Sequence, residues 1–263
     1  MDELTALILG LIQGLTEFLP VSSSGHLELG KALFGLQGSD NLIFTVTVHG
    51  ATVLSTLVVF YKDILRLLKG LLAFRWNPET RFITKILISM IPVAVLGFFF
   101  REQVEAFFNG NTVLVGSMLI LTAILLTLTT LVKAGLKTIP FVDALIIGVA
   151  QAIAVLPGLS RSGATISTGL LLRNQKEEVT RFSFLMVILP VLGANVLDLY
   201  AVNMQNDVTV GSIPLLIGFL SAFISGLIAC KWMIGIVKKG KLKWFALYCL
   251  IIGIIAIVWG RGS

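Results

Sequence analysis

Charge is what this sequence has least of. Only 13% of its 263 residues are Asp, Glu, Lys or Arg, against 56% apolar, and the mean hydropathy is +0.97. An ordinary soluble domain is about 25% charged, so a polar shell cannot cover this much apolar surface. The shortage excludes a soluble enzyme and a disordered chain. Cysteine is nearly absent as well. Cys230 and Cys249 lie in or beside apolar stretches, in no Cys-x-x-Cys or Cys/His spacing. That excludes a disulfide-built secreted module, and the two read as small apolar fillers rather than a metal or redox site. No basic residue precedes Lys31, so no cleavable signal peptide is expected.

What is present is apolar sequence in lengths that cross ~30 Å of hydrocarbon. Six segments reach or approach that length: 42–61, 82–100, 112–132, 182–202, 212–231 and 244–259. Two further apolar regions, 4–36 and 140–172, are each broken near the middle. The breaks read Leu19-Pro20-Val21-Ser22-Ser23-Ser24-Gly25-His26 and Leu156-Pro157-Gly158-Leu159-Ser160-Arg161-Ser162-Gly163. Irregular backbone at membrane depth survives only where it is buried in protein or lines a wet cavity. Both regions are therefore expected to be re-entrant helical hairpins that enter and leave on one side. The fold expected is an all-α polytopic membrane protein, a single domain over 1–263 with six transmembrane helices and two re-entrant hairpins.

The breaks resemble each other. A glutamine precedes each Leu-Pro, Gln13 the first and Gln151 the second, and each Leu-Pro is followed by Ser-x-Ser-Gly. A hairpin and three spans, then a second hairpin and three spans, predict an inverted-topology repeat with halves at about 1–135 and 136–263. Such repeats place their substrate site where the broken helices meet. Loop charge agrees. With the 61–82 connection cytoplasmic, that side holds Lys62, Arg66, Lys69, Arg75 and Arg81, then Lys133 and Lys137, then Arg173, Lys176 and Arg181. Lys231, Lys238, Lys239, Lys241 and Lys243 complete it, while only Arg101 and Arg261 face the other way. This is the positive-inside distribution, and it predicts both termini outside. The net charge of +6 and the Lys238–Lys243 run then read as topogenic, not as a nucleic-acid surface.

Ionisable groups inside a membrane are costly and point to function. Asp143, in the first turn after Pro140, reads as a helix-dipole partner. Glu28 and Lys31, three apart, are placed to pair. His49 is expected either to line a central cavity or to pair with a neighbouring helix. Glu17, His26 and Arg161 remain, each beside a break. Gln13 and Glu17 project from one helix face. Arg161 stands at a helix start, where free N–H groups attract anions and the guanidinium adds a phosphate-matching fork. With Ser22, Ser23, Ser24, Ser160, Ser162 and Gly163, the two breaks are expected to form a phosphate cradle. Structural readings compete: Glu17 as a carboxylate satisfied by hydroxyls, His26 as a hydrogen-bonding strut, Arg161 as a partner for Glu17 alone.

Gln13-Gly-Leu-Thr-Glu17-Phe-Leu-Pro-Val-Ser-Ser-Ser-Gly-His26 resembles the (Glu/Gln)-x-x-x-Glu motif and the Ser/Gly/His stretch of the undecaprenyl-diphosphate phosphatases, the bacitracin-resistance family. Pro157-Gly-Leu-Ser-Arg-Ser-Gly-Ala-Thr165 resembles their second signature, Pro-Gly-x-Ser-Arg-Ser-x-x-Thr. The resemblance covers essentially the whole chain. It implies a bacterial plasma-membrane enzyme that removes the terminal phosphate of the polyprenyl diphosphate carrier of cell-wall synthesis, with a site opening outward. It also implies a divalent cation; Mg²⁺ or Ca²⁺ would be held by Glu17 with Gln13 and phosphate oxygens. By motif position the functional residues are Gln13, Glu17, Ser23, His26, Ser160, Arg161 and Thr165. Many members carry Glu where this chain has Gln13, so a two-carboxylate clamp is not expected here.

The chemistry expected is a diphosphate gripped by Arg161 and the Ser160–Gly163 backbone. His26 would serve as general base on water or on Ser23, or as nucleophile itself, and the sequence leaves these open. A flippase for the polyprenyl phosphate is the leading alternative, since secondary transporters also use broken helices in inverted repeats. A channel fits poorly, because no continuous polar stripe runs through the spans.

Overall fold

The computed structural model describes residues 1–36, 40–108, 110–133, 135–205 and 210–262; at 40, 41, 198–205 and 262 only the backbone is described. Every regular element among them is helical, and six helical stretches are long and apolar enough to span a membrane. They are Leu42–Val59, Pro78–Phe99, Thr112–Leu131, Lys176–Leu197, Ser212–Lys238 and Lys243–Arg261. Their outer surfaces are apolar: Ile224, Ile228 and Trp232 on one helix and Ile254, Ile255 and Val258 on another are all exposed. A surface of this kind belongs in lipid, so the chain is an integral membrane protein.

The first broken region is α1 (Glu3–Phe18) followed by α2 (Ser23–Leu33). Asp2 caps α1, its Oδ1 accepting from Thr5 N–H at 2.7 Å, which holds that carboxyl below its ordinary range. Glu28 and Lys31 pair on α2 at 3.2 Å. The first span, α3 (Asp40–Val59), is followed directly by α4 (Tyr61–Leu72). The 61–82 connection, expected from its charges to be a cytoplasmic loop, is helical over its first part. Ile64, Leu67 and Leu71 instead recur at helical spacing and Leu67 is buried, while Lys62, Arg66 and Lys69 stay exposed. That makes α4 amphipathic. An ion pair, Arg181 Nε to Asp63 Oδ1 at 2.9 Å, ties it to the fourth span.

Spans two and three are α5 (Pro78–Phe99) and α7 (Thr112–Leu131), with the short α6 (Arg101–Glu105) between them. The second broken region is α8 (Phe141–Ile153) and α9 (Arg161–Leu171). The fourth span begins at Lys176, six residues before the expected boundary, and is interrupted at Val187 between α10 (Lys176–Met186) and α11 (Ile188–Gln205). Pro190 explains the interruption: it lacks an N–H for the carbonyl of Met186 and its ring crowds that turn. The last spans are α12 (Ser212–Lys238), longer than expected by two turns, and α13 (Lys243–Gly262).

Packing crosses between the halves. α1 lies along α12, α8 along α5, and α7 along α13. Small residues make these approaches possible. A Cβ on Gly10 or Gly14 would strike Ser221 or Ser225 of α12, and one on Gly148 would strike the backbone of Ser89 on α5. Residues 138 apart occupy matching places. Gly10 and Gly148 sit at helix crossings, and α2 and α9 have the same length of 11 residues. Their caps match as well: Ser22 Oγ accepts from Gly25 N–H at 3.2 Å and Ser160 Oγ from Gly163 N–H at 3.0 Å, with Ser24 and Ser162 hydroxyls each 3.3 Å from the capping oxygen.

Asp143 is more than a dipole partner. It is 6% exposed, pairs with Lys137 Nζ at 2.8 Å and accepts from Asn174 Nδ2 at 2.7 Å. Asn174→Leu removes a buried donor to a carboxylate and should cost about 2 kcal/mol, read as a lower melting midpoint in detergent. An unchanged midpoint would mean that Asp143 is satisfied without Asn174.

Candidate active site

The two breaks meet. A Cβ on Gly25 would lie 2.8 Å from the Cα of Gly158, and Ser162 Oγ donates to Leu19 O at 3.2 Å. Glycine is required at 158 too, where φ is +94° and a Cβ would lie 2.3 Å from Val115 O. With the breaks in contact, the helix end at Glu17 faces the helix start at Arg161, and Arg161 Nη2 lies 3.4 Å from Glu17 Oε1. Glu17 Oε2 accepts from Ser23 Oγ at 2.5 Å and from Gln13 Nε2 at 2.9 Å. Ser23 and Arg161 are the first residues of α2 and α9, so the facing breaks present a hydroxyl and a guanidinium from equivalent positions to one carboxylate. The matching position for Glu17 in the second half is Val155, so only the first half supplies a carboxylate.

Two clefts share the Glu17–Arg161 wall. One, of about 240 Å³, is lined by Ser22, Ser23, Ser24 and Ser160 together with Thr16. The other, of about 430 Å³, is largely apolar, with Phe18, Val53, Phe184, Val187, Ile188 and Val191 beside Thr52, Thr56, Ser162 and Ser183. A hydroxyl-lined chamber thus opens across one ion pair from an apolar one.

The expected residues divide into two sets. Gln13, Glu17, Ser22, Ser23, Ser24, Ser160, Arg161 and Ser162 are gathered around the ion pair. Gly163 and Thr165 are turned to structural work, the N–H of Gly163 bonding Ser160 Oγ and the Thr165 hydroxyl donating to Arg161 O at 3.0 Å. The N–H groups of Arg161 and Ser162 are the ones that precede the α9 ladder. His26 lines neither cleft. Its Nδ1 is 2.8 Å from Ser22 O and its Nε2 is 2.8 Å from the hydroxyl of Tyr248 on α13. The second histidine, His49, interacts electrostatically with Glu17 and Arg161, while its Nδ1 bonds Thr45 O at 2.8 Å.

Sequence reasoning missed Thr52, Thr56, Ser183 and Tyr248. Thr52 receives Gln13 Nε2 at 3.5 Å, yet isolated hydroxyls inside apolar spans ordinarily bond their own helix, so nothing in the pattern marks them.

Residues 6–255 match the family described as "Bacitracin resistance protein BacA". The chain belongs to that family. Relatives named undecaprenyl-diphosphatase extend over nearly its whole length. That of Bacteroides thetaiotaomicron is 56% identical over 98% of this chain and 99% of its own, and that of Bacteroides fragilis strain ATCC 25285 is 55% identical over 98% of each. The Korarchaeum cryptofilum relative is 40% identical over 97% of this chain and 98% of its own.

Proposed function

We propose that the protein hydrolyses the terminal phosphoanhydride of undecaprenyl diphosphate, yielding undecaprenyl phosphate and inorganic phosphate and so recycling the lipid carrier of cell-wall synthesis. The observation that carries the reading is the Ser23–Glu17–Arg161 contact at the junction of the two breaks. Nearly full-length relatives that carry the corresponding name support it.

The diphosphate occupies the hydroxyl-lined cleft, where Arg161, the Ser22, Ser24, Ser160 and Ser162 hydroxyls and the first N–H groups of α9 neutralise and orient its oxygens. The prenyl chain leaves through the apolar cleft between Phe18, Val53 and Val191. Ser23 is the nucleophile and Glu17 its base, because Ser23 Oγ already donates to that carboxylate. The Ser23 proton passes to Glu17 as Oγ bonds the terminal phosphorus, the P–O bond to the bridging oxygen breaks, and undecaprenyl phosphate departs. Glu17 hands its proton to the departing phosphate oxygen, then takes one from a water whose oxygen bonds the Ser23-linked phosphorus. The Ser23 Oγ–P bond breaks, Oγ recovers the proton from Glu17, and inorganic phosphate leaves. Both nitrogens of His26 are engaged elsewhere, which favours Ser23 over the histidine as nucleophile and Glu17 over it as base.

A divalent cation fits the donors present. Gln13 Oε1 is buried with no hydrogen-bond partner among the described residues, beside the Glu17 carboxylate, and oxygen donors suit Mg²⁺ or Ca²⁺. Among the described residues no cluster of three or more His, Cys, Asp or Glu could hold a metal, so Glu17 and Gln13 would share the ion with substrate oxygens. When bound it supplies charge neutralisation on the diphosphate.

The hairpins are re-entrant from opposite faces of the inner membrane, the halves form an inverted repeat, and the site opens outward with both termini outside. The matched capping of α2 and α9 and the exchanged packing of α1 and α8 support this arrangement.

The test is phosphate release from undecaprenyl diphosphate by purified protein in detergent, where transport has no sides to act between. Hydrolysis predicts release, loss of release on chelation and recovery with Mg²⁺ or Ca²⁺. Absence of release under all conditions would leave transport standing, and full activity in chelator would reject the cation.

A further inference from the structure

We infer that Tyr248 is a positioning residue for Ser23, acting through His26. The inference rests on the proposed hydrolysis with Ser23 as nucleophile. Ser22 O has only lone pairs to offer, so His26 Nδ1 carries the hydrogen, Nε2 carries a lone pair, and the Tyr248 hydroxyl is the donor. The two rings also stack, with centroids 5.6 Å apart and planes at 10°. A relay of two hydrogen bonds therefore runs from α13, at the far end of the sequence, to the carbonyl of Ser22.

That carbonyl is where the first break is under tension. Ser22 has φ 70° and ψ 98°, a backbone conformation that L residues rarely adopt. Its oxygen is held twice by His26, by Nδ1 and by the backbone N–H at 3.1 Å. The next residue is Ser23, whose hydroxyl meets Glu17. α13 braces the same break a second time, Cys249 Sγ donating to Pro20 O at 3.5 Å.

The Tyr248 hydroxyl selects the tautomer that makes this hold possible. Without it, neutral imidazole can place its hydrogen on Nε2, and the Nδ1 lone pair then faces the Ser22 lone pairs and releases them. Ser22 relaxes, and Ser23 swings away from Glu17. Tyr248 is 41% exposed on the outer face of α13, so Tyr248→Phe removes one oxygen while keeping the ring stack.

Tyr248→Phe is expected to lower kcat by about 10- to 100-fold, the scale of a small displacement of a reacting group, with KM changed by less than roughly twofold. Its effect is expected to vanish in a His26→Ala background, as two links of one relay require. His26→Asn, which keeps a side-chain N–H near the Nδ1 position but accepts no proton, is expected to recover most of the activity lost in His26→Ala. Amide exchange across residues 21–26 is expected to quicken in Tyr248→Phe, a readout that needs no turnover. Wild-type kcat in Tyr248→Phe, losses that multiply with His26→Ala, a dead His26→Asn, or unchanged exchange would each overturn the inference. Absence of phosphate release by the unmodified protein would instead reject the proposed hydrolysis, while the exchange measurement still tests the brace.

Discussion

Ser23→Ala should lower phosphate release by at least about 10³-fold while the protein folds as before, the scale expected when an activated nucleophile is removed. Ser23 is 8% exposed and its hydroxyl is one of three groups on the Glu17 carboxylate. Its loss leaves Gln13 and Arg161 in place, so stability should fall by only about 1 kcal/mol. Glu17→Gln tests the other half of the pair. It preserves shape but cannot take the Ser23 proton, and a loss of similar size is expected. Turnover of Ser23→Ala within a few-fold of the unmodified protein would show that a water molecule is the nucleophile.

Arg161 carries the second large effect. It is the only guanidinium on either break; it pairs with Glu17, and in the proposed mechanism it also grips the incoming phosphate. Arg161→Lys keeps the charge but loses the planar fork, and a drop of about 10²- to 10³-fold in kcat is expected from the loss of a positioned donor. Arg161→Ala should be inactive. It should also lower the melting midpoint, because a carboxylate at the junction of the breaks loses its charged partner; that contact is worth roughly 1.5–3 kcal/mol. The double variant Arg161→Ala with Glu17→Gln should recover much of the midpoint and none of the activity. Full activity in Arg161→Lys would show that charge alone suffices, against the fork geometry.

Much of this was legible before any coordinates. Six apolar runs survive averaging over a membrane-length window, and Pro, Ser and Gly interrupt the two remaining regions where an uninterrupted helix would otherwise form. A carboxylate, a guanidinium and a cluster of hydroxyls beside those interruptions stand out because little else in the chain is polar. What stayed hidden did so for physical reasons. The apolar residues of α4 recur every third or fourth position between lysines and arginines, so the segment reads as a charged loop until its burial is seen. Lys176, Glu177, Glu178 and Arg181 disguise the first turns of the fourth span in the same way. Tyr248 gives no signal in an apolar helix, since its meaning depends on a contact with His26 across 222 positions of sequence. The same contact engages Nε2 of the motif histidine, which the sequence marks as a general base or nucleophile.

The most direct measurement is to quench the protein with acid during turnover and locate phosphate on its peptides by mass spectrometry. One phosphoryl group on Ser23, absent from Ser23→Ala and accumulating when water attack is slowed, is the predicted result. Steady turnover with no protein-bound phosphate, or phosphate on any other residue, would contradict it.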